Sequence, residues 1–145
     1  YHAALHRAGI RPDPALEVEG ALDLAGGVAA TEELLRRGVP FSAIYAICDE
    51  AAMGALTALR RHGLRVPEDV SLIGIDDHDL APAIGLTTIA QPAAEQGRRA
   101  VETLLAPVAP VGAVLLPTHL TIRESTAAPP STLESGKHLK DGARP

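Results

Sequence analysis

Apolar and polar positions follow two alternating periods along the chain. Apolar residues at helical spacing predict helices that end near residue 9 and that cover residues 26–37, 50–62 and 93–105. Short apolar runs predict strands at residues 16–18, 43–47, 70–75, 86–89, 114–116 and 119–122. Strands that alternate with helices of this length form parallel sheets through right-handed crossovers. We therefore expect an α/β fold in which helices flank a parallel sheet, with residues 70–75 buried on both faces.

Two of the predicted helices carry the same stop signal. An arginine pair comes shortly before a glycine in Arg36-Arg37-Gly38 and in Arg60-Arg61-His62-Gly63. Cations complement the negative end of a helix dipole, and glycine adopts the left-handed backbone that ends a helix. We expect these helices to end at the two glycines.

Polar residues follow three of the predicted strands at the point where each strand ends. They lie in the segments Gly20-Ala21-Leu22-Asp23, Cys48-Asp49 and Asp76-Asp77. The carboxyl ends of parallel strands meet at one edge of a sheet, where the ligands of open α/β folds bind. Carboxylates there accept hydrogen bonds from hydroxyls, and apolar side chains cover a sugar's face. This edge is a candidate site for a small polyhydroxyl ligand.

Size and charge limit the function classes. The chain of 145 residues is the size of one domain, and its net charge of −5 argues against a nucleic-acid-binding surface. Its apolar runs are shorter than the ~18–20 residues of a membrane span. The single cysteine excludes an internal disulfide and fits a reducing compartment. We expect a cytoplasmic protein, and the helical opening without Met suggests a piece of something longer.

Other kinds of site fit this sequence less well than the edge of the sheet. A phosphoryl-receiving domain needs a lysine after its last strand, and no lysine precedes Lys137. A dinucleotide site needs a glycine-rich turn that Gly26-Gly27 does not provide. A metal site in residues 76–79 fails because consecutive side chains cannot all point at one ion. A cysteine hydrolase built on Cys48 and His78 stays open as the enzyme alternative.

Several short motifs occur in a fixed order. The main ones lie in residues 49–56 and 63–77, including Val66-Pro67-Glu68-Asp69-Val70-Ser71 and Gly74-Ile75-Asp76-Asp77. Others are Leu86-Thr87-Thr88-Ile89, Gln91-Pro92, Gly97-Arg98-Arg99-Ala100 and Leu120-Thr121-Ile122-Arg123-Glu124-Ser125-Thr126. Each motif is weakly specific, but the set spans roughly residues 1–130 with consistent spacing. Together they resemble the LacI/GalR (lactose-repressor) family of bacterial transcription regulators.

The resemblance implies a periplasmic binding protein-like fold of type I, in which two α/β lobes enclose an effector. Residues 1–88 would be most of the C-terminal lobe. Residues 89–118 would be a crossing segment and part of the N-terminal lobe, and residues 119–127 would return to the C-terminal lobe. Residues 128–145 are predicted to be a disordered tail. The chain would be a fragment that holds most of one lobe and part of the other.

The resemblance also implies a function. The chain would be the effector-sensing and dimerisation domain of a repressor that binds a sugar-like or nucleoside-like ligand between its lobes. Its partners would be a second copy of itself and operator DNA, the latter only through an upstream helix-turn-helix. No cofactor, metal, membrane contact or enzymatic activity is implied. The alternative is a periplasmic sugar-binding protein of an ABC transporter, which shares the fold.

The resemblance assigns ligand-binding positions to four residues: Asp76, Leu22, Cys48 and Gln91. Asp76 takes the place of an acid that hydrogen-bonds the effector, and its other interpretation is a turn cap. Leu22 replaces a stacking aromatic and keeps an apolar wall. Cys48 either faces the cleft or is a small buried hydrophobe. Gln91 lies on the crossing, where it either reaches the ligand or bonds the backbone as a hinge.

Other residues near the candidate site are interpreted as structural rather than as ligand-binding. Asp49 is interpreted as the N-cap of the following helix rather than as a ligand group. Three further acids are interpreted as turn residues: Asp69, Asp77 and Asp79. By position, Met53 and Ile84 would lie at the family's dimer seam, and helix core is the other interpretation of Met53.

Overall fold

The computed structural model describes residues 1–106 and 112–129. Within them one sheet has the order β1 (Ala43–Tyr45), β2 (Ser71–Asp76), β3 (Thr87–Ala90) and β4 (His119–Thr121). The helices are α1 (His2–Arg7), α2 (Leu24–Arg37), α3 (Asp49–Arg61) and α4 (Ala93–Leu105), with 3-10 turns at Pro14–Leu16 and Pro82–Ile84. The first three strands are parallel and β4 is antiparallel to β3. The predicted α/β fold is confirmed, with one antiparallel strand added.

The helix stops are where the sequence places them. Gly38 follows α2 with a φ of 67°, and Gly63 lies just beyond α3 with a φ of 71°. Both angles belong to the left-handed region that glycine enters without steric cost. The bounds of α4 also agree with the prediction, which rested on its amphipathic spacing.

The core lies between α3 and one face of the sheet. Leu59 of α3 and Leu72 of β2 are fully buried, and Leu86 closes the same cluster. Other members of the cluster are small or branched: Ile44, Ala46, Ala52, Ala55, Leu56, Val70 and Ala81. A chain with 2% aromatic residues therefore fills its core with aliphatic side chains.

Glycines let α2 and α3 approach each other closely. A Cβ atom built on Gly27 would lie 2.1 Å from the carbonyl oxygen of Ala51. One built on Gly54 would lie 2.2 Å from the carbonyl oxygen of Leu24. Backbone therefore packs on backbone at this crossing, which fixes how α3 presents its N-terminus to the sheet.

The prediction that residues 70–75 are buried on both faces is wrong for β2. Leu72 and Gly74 are buried, whereas Ile73 and Ile75 on the opposite face are half-buried. The reason is that α3 packs on the first face, and none of the described helices packs extensively on the second. On the edge strand Tyr45 is exposed and stacks on Tyr1, with ring centroids 6.3 Å apart.

The strand predicted at residues 16–18 is not formed. Asp13 instead caps a 3-10 turn at Pro14–Leu16 by accepting a hydrogen bond from the Ala15 N–H. The guanidinium of Arg37 then donates to the carbonyls of Pro14, Ala15 and Glu17. The two carbonyls just before this run, and that of Glu17 within it, thus bond a side chain rather than a neighbouring strand, and the run does not join the sheet.

The prediction of a strand at residues 114–116 is also wrong. Val114 and Leu115 are 64% and 91% exposed and lie outside regular structure, because no described strand pairs with them. Helix α4, which precedes this segment in the sequence, has no buried residue, and its Leu104 and Leu105 are 83% and 79% exposed. An amphipathic helix and an apolar run are thus left without a packing partner among the described residues.

The segment after β4 ties the amino ends of β2 and β3 together. The buried Ser125 hydroxyl donates to the Leu72 carbonyl at 2.6 Å and accepts from the Thr87 N–H at 2.8 Å. The Leu72 N–H in turn donates to the Ser125 carbonyl. Of the predicted tail, residues 130–145 lie outside the described residues. In the part of the chain that is described, no helix has the length and apolar character needed to cross a membrane.

Candidate ligand-binding site

Two of the predicted site residues meet at the carboxyl edge of the sheet. Asp76 ends β2 opposite Ala90, the last residue of β3, so that Gln91 follows directly beside it. The Gln91 side-chain amide donates to Asp76 Oδ1 at 2.6 Å, and both side chains are exposed. Gln96 in α4 donates a longer bond, 3.4 Å, to Gln91 Oε1. An exposed carboxylate held by an amide can accept further hydrogen bonds from hydroxyls.

Asp77 points its carboxylate to a different partner. Its Oδ1 accepts a 2.7 Å hydrogen bond from Arg123 Nη2, in a half-buried ion pair. Arg123 also donates through Nη1 to the Leu86 carbonyl. Asp77 therefore lies in a turn and is anchored to the segment after β4, whereas Asp76 stays at the open edge.

The interpretation of Asp49 as an N-cap is wrong. The N-cap of α3 is Cys48, without a side-chain cap, and Asp49 is the first helical residue with no exposed surface. Its Oδ1 accepts from the Thr88 hydroxyl at 2.7 Å, and its Oδ2 accepts from the His78 N–H at 2.8 Å. The carboxylate is turned into the sheet because donors there satisfy both of its oxygens.

Cys48 lies at the same edge and is 8% exposed. Burial is the main cause that raises the pKa of its thiol, and the negative charges of Glu50 and, to a smaller extent, of Asp76 add to the effect. The thiol is therefore protonated near neutral pH. A raised pKa disfavours the thiolate that a cysteine hydrolase requires.

The His78 ring, the partner considered for such an enzyme, is already used within its own turn. Its Nδ1 accepts a hydrogen bond from the Leu80 N–H at 3.1 Å. Among the described residues, no group of three or more His, Cys, Asp or Glu side chains could hold a metal ion.

Exposed apolar side chains flank this edge. Leu22 is 66% exposed just before α2, and Ile47 is 62% exposed where the chain leaves β1. Asp23, next to Leu22, caps α2 by accepting from the Gly26 N–H at 2.7 Å. The cap fixes the start of α2 and leaves the apolar side chain of Leu22 exposed beside it.

The two residues assigned to a dimer seam take part in none of the hydrogen bonds described above. Met53 in α3 and Ile84 in the second 3-10 turn are both half-buried, and Ile84 packs against the core cluster. Asp69 bonds Arg65, and Asp79 is exposed in the turn after β2.

Sequence reasoning missed the residues that hold the turn after β2. Thr88 and Arg123 bind this turn, yet neither was singled out. One signal was available, because the predicted strand at residues 86–89 contains two consecutive hydroxyl residues among apolar ones. Buried hydroxyls need hydrogen-bond partners, which marks Thr87 and Thr88 as anchors.

Comparison with known proteins identifies the family. A family profile described as periplasmic binding protein-like domain matches residues 1–126. The ribose operon repressor of Haemophilus influenzae is 42% identical over 107 residues, 72% of this chain and 32% of that protein. The HTH-type transcriptional repressor CytR of Escherichia coli is 40% identical over 136 residues, 90% of this chain and 40% of that protein.

A solved structure agrees with these relatives. The complex of the transcriptional regulator CelR with cellobiose superposes with a TM-score of 0.73 at 36% identity, covering 86% of this chain and 40% of that one. The chain thus belongs to the periplasmic binding protein-like domain family. Within that class it falls with the effector domains of LacI-type transcription regulators. It spans well under half the length of these relatives.

Proposed function

We propose that this chain is the effector-sensing part of a bacterial transcription repressor. It binds a sugar-like or nucleoside-like ligand in a cleft, and this binding controls operator DNA through a helix-turn-helix outside these 145 residues. The protein works in the cytoplasm and performs no catalysis. Since the relatives reported above are repressors, the comparison favours this role over delivery of sugar to a transporter.

The observation that carries the proposal is the Asp76–Gln91 pair. Gln91 occupies Oδ1 of Asp76 and orients the carboxylate, so that Oδ2 is left for a ligand hydroxyl. Charge-assisted hydrogen bonds of this kind are stronger than neutral ones and give a polyhydroxyl ligand its orientation. Leu22 supplies exposed apolar surface for a sugar's carbon face, and the buried Cys48 lies at the same edge.

The other half of the cleft would come from a second lobe. Residues 1–88 and 119–127 form one lobe in this proposal, and residues 89–118 cross into the other. The exposed apolar side chains of α4 and of residues 114–115 support this division, because apolar surface of this kind is normally covered. Gln91, at the crossing, would touch both the ligand and the moving lobe.

We also assign Met53 and Ile84 to a homodimer seam. Both side chains are half-buried and therefore offer apolar surface that a second copy can cover. Met53→Glu in the full-length protein should shift its mass in light scattering from dimer to monomer. Arg61→Glu, at an exposed position in the last turn of α3, separates a seam at Met53 from a general effect of charge on this helix.

The proposed function is tested on the full-length protein. Ribose, cellobiose and the four ribonucleosides are screened for a rise in melting temperature, since a ligand at 100 times its Kd stabilises by about 2.7 kcal/mol. A compound that raises it should also change the affinity for the protein's own promoter DNA in fluorescence anisotropy. If the protein bound its promoter with the same affinity whether or not it held such a compound, the regulator role would be wrong.

A further inference from the structure

Two consecutive residues, the last of β2 and the first of the turn after it, have φ angles in the left-handed region. Asp76 has a φ of 120° and Asp77 a φ of 57°, and neither is glycine. Residues with a Cβ rarely adopt such angles, and they keep them where the surroundings over-determine the conformation. The carboxylate that we assign to ligand binding is therefore carried on backbone that needs outside support.

That support comes from Thr88. Its hydroxyl accepts a hydrogen bond from the Asp77 N–H at 3.2 Å and donates its own proton to Asp49 Oδ1 at 2.7 Å. The other oxygen of Asp49 accepts from the His78 N–H at 2.8 Å. Two backbone amides of the turn are thus bound, one through Thr88 and one directly, by a single buried carboxylate.

Asp49 is itself held without freedom to move. It has no exposed surface, and it opens α3, whose position is fixed by the close crossing with α2. Its carboxylate lies against Gly74 of β2, where a Cβ would come within 2.1 Å of Oδ1. Gly74 therefore provides the space that the carboxylate occupies.

The ion pair of Asp77 with Arg123 adds a third tie on the same turn. It draws the Asp77 carboxylate toward the segment after β4 and away from Gln91. Asp76, whose carboxylate bonds neither Thr88 nor Arg123, is left to face Gln91.

We propose that Asp49 and Thr88 are positioning residues for Asp76, which hold its left-handed backbone so that the carboxylate meets Gln91 before any ligand arrives. The effect on ligand affinity rests on the proposed function, whereas the effect on the turn does not. A group ordered in advance loses less conformational freedom when it binds. Loss of either residue frees the turn and weakens binding without removing an atom that touches the ligand.

The test compares two substitutions at one position in the full-length protein. Thr88→Val keeps the shape of the side chain but removes the hydroxyl, and Thr88→Ser keeps the hydroxyl. Ser125→Ala is the matched control, because it removes another buried hydroxyl at the opposite end of the same strands. Asp49→Asn is the second variant and carries the test if Thr88→Val does not fold.

The first readout needs no ligand. With 15N-labelled glutamine, the Gln91 side-chain amide signal reports its bond to Asp76, and Asp76→Ala marks the signal of the freed amide. Thr88→Val and Asp49→Asn should move the signal toward that reference and speed hydrogen exchange at the Asp77 and His78 amides. Thr88→Ser and Ser125→Ala should leave both unchanged. A wild-type Gln91 signal and wild-type exchange in Thr88→Val or Asp49→Asn would overturn the proposal.

The second readout is affinity, measured by calorimetry with whichever of ribose and cellobiose stabilises the wild type. Thr88→Val should weaken binding about tenfold, with Thr88→Ser close to wild type. An unchanged affinity beside a freed Gln91 signal would refute the link from turn to ligand. Failure of both sugars with the wild type would count against the sugar-sensing role instead, and the first readout would still decide the positioning role.

Discussion

Gln91 and Asp76 are joined by a 2.6 Å hydrogen bond across the ends of two parallel strands that are paired in register. The bond links the turn after β2 to the segment that leaves the sheet after β3. A ligand that bonds Asp76 therefore also senses the position of Gln91. In the proposed function, this one contact would connect ligand binding to the geometry of the segment that follows β3.

Removal of the Asp76 carboxylate should abolish the effector response and leave DNA binding largely intact. In the full-length protein, Asp76→Ala removes the charged acceptor without disturbing the core, because the side chain is exposed. Promoter affinity is measured by anisotropy with and without the effector found in the screen. Asp79→Ala, an exposed acid in the same turn, should respond like the wild type. A normal titration of Asp76→Ala would rule out its ligand role.

A negative charge at position 91 should weaken effector binding more than loss of the amide does. Gln91→Glu places a second carboxylate at hydrogen-bond distance from Asp76, whereas Gln91→Ala only removes the donor. We expect about tenfold weaker binding for the glutamate than for the alanine variant. Because the pair is exposed, ~1 M salt should narrow this gap by screening. Equal affinities of the two variants would argue against the contact.

Helix packing at Gly54 should be intolerant of one methyl group. Gly54→Ala puts a Cβ 2.2 Å from the Leu24 carbonyl oxygen, so α2 and α3 must separate. We expect a loss of about 1–3 kcal/mol in the free energy of unfolding, as for other overpacked cores. Arg61→Ala on the exposed side of α3 should stay within about 0.5 kcal/mol. Urea unfolding of the wild type and of the two variants measures both changes in the free energy of unfolding. A Gly54→Ala variant as stable as the wild type would mean that the helices lie further apart.

The Ser125 hydroxyl should matter for stability but not for effector affinity. Ser125→Ala leaves the Leu72 carbonyl without its side-chain donor and the Thr87 N–H without its acceptor, in a buried setting. Such a loss costs about 1–3 kcal/mol. Urea unfolding should show this loss while calorimetry gives wild-type affinity. Weakened binding at full stability would instead place Ser125 in the site.

The ion cluster of Glu33 should give stability that depends on pH. Hydrogen bonds from Arg36 and Arg37 hold the pKa of Glu33 at about 2, below its ordinary 4.5. A lowered folded-state pKa stabilises the protein above the unfolded value and ceases to do so as the pH falls through the folded value. Glu33→Gln should therefore lower the melting temperature at neutral pH, and the difference should vanish toward pH 2.

The control for this effect is Glu19→Gln, which removes an equal charge from an exposed position. At neutral pH, Glu19→Gln should lower the melting temperature less than Glu33→Gln does. If the Glu33→Gln difference stayed constant from neutral to acid pH, the arginines would not be the cause of the lowered pKa.

The sequence predicted the elements whose signals are local. The bounds of α4 follow from its amphipathic period. The end of α2 just before Gly38 was predictable because the arginine pair and the glycine that stop the helix are adjacent in the sequence. The strand predicted at residues 16–18 does not form, because distant Arg37 bonds the Glu17 carbonyl and the carbonyls of Pro14 and Ala15 just before it. A period of apolar residues cannot show which partner a backbone will find.

The candidate site was predictable to the same extent. Asp76 could be placed at this edge because the ends of parallel strands converge there, whereas Gln91 was assigned to the site only through the family resemblance. Asp49 was misread because the N-cap rule is local, whereas its two donors come from Thr88 and His78, 39 and 29 residues away along the chain. Exposed residues at the ends of strands leave a signal in the sequence more readily than the buried residues that hold them in place.

Cys48 is a natural position at which the dynamics of the candidate site can be measured by chemical modification. It is the single thiol of the chain, and its burial and raised pKa protect it from alkylation in the folded state. Its rate of modification by a maleimide therefore counts how often this edge of the sheet opens. No engineered cysteine is needed in this segment, because the modification rate of Cys48 itself reports the opening of the sheet edge that carries Asp76.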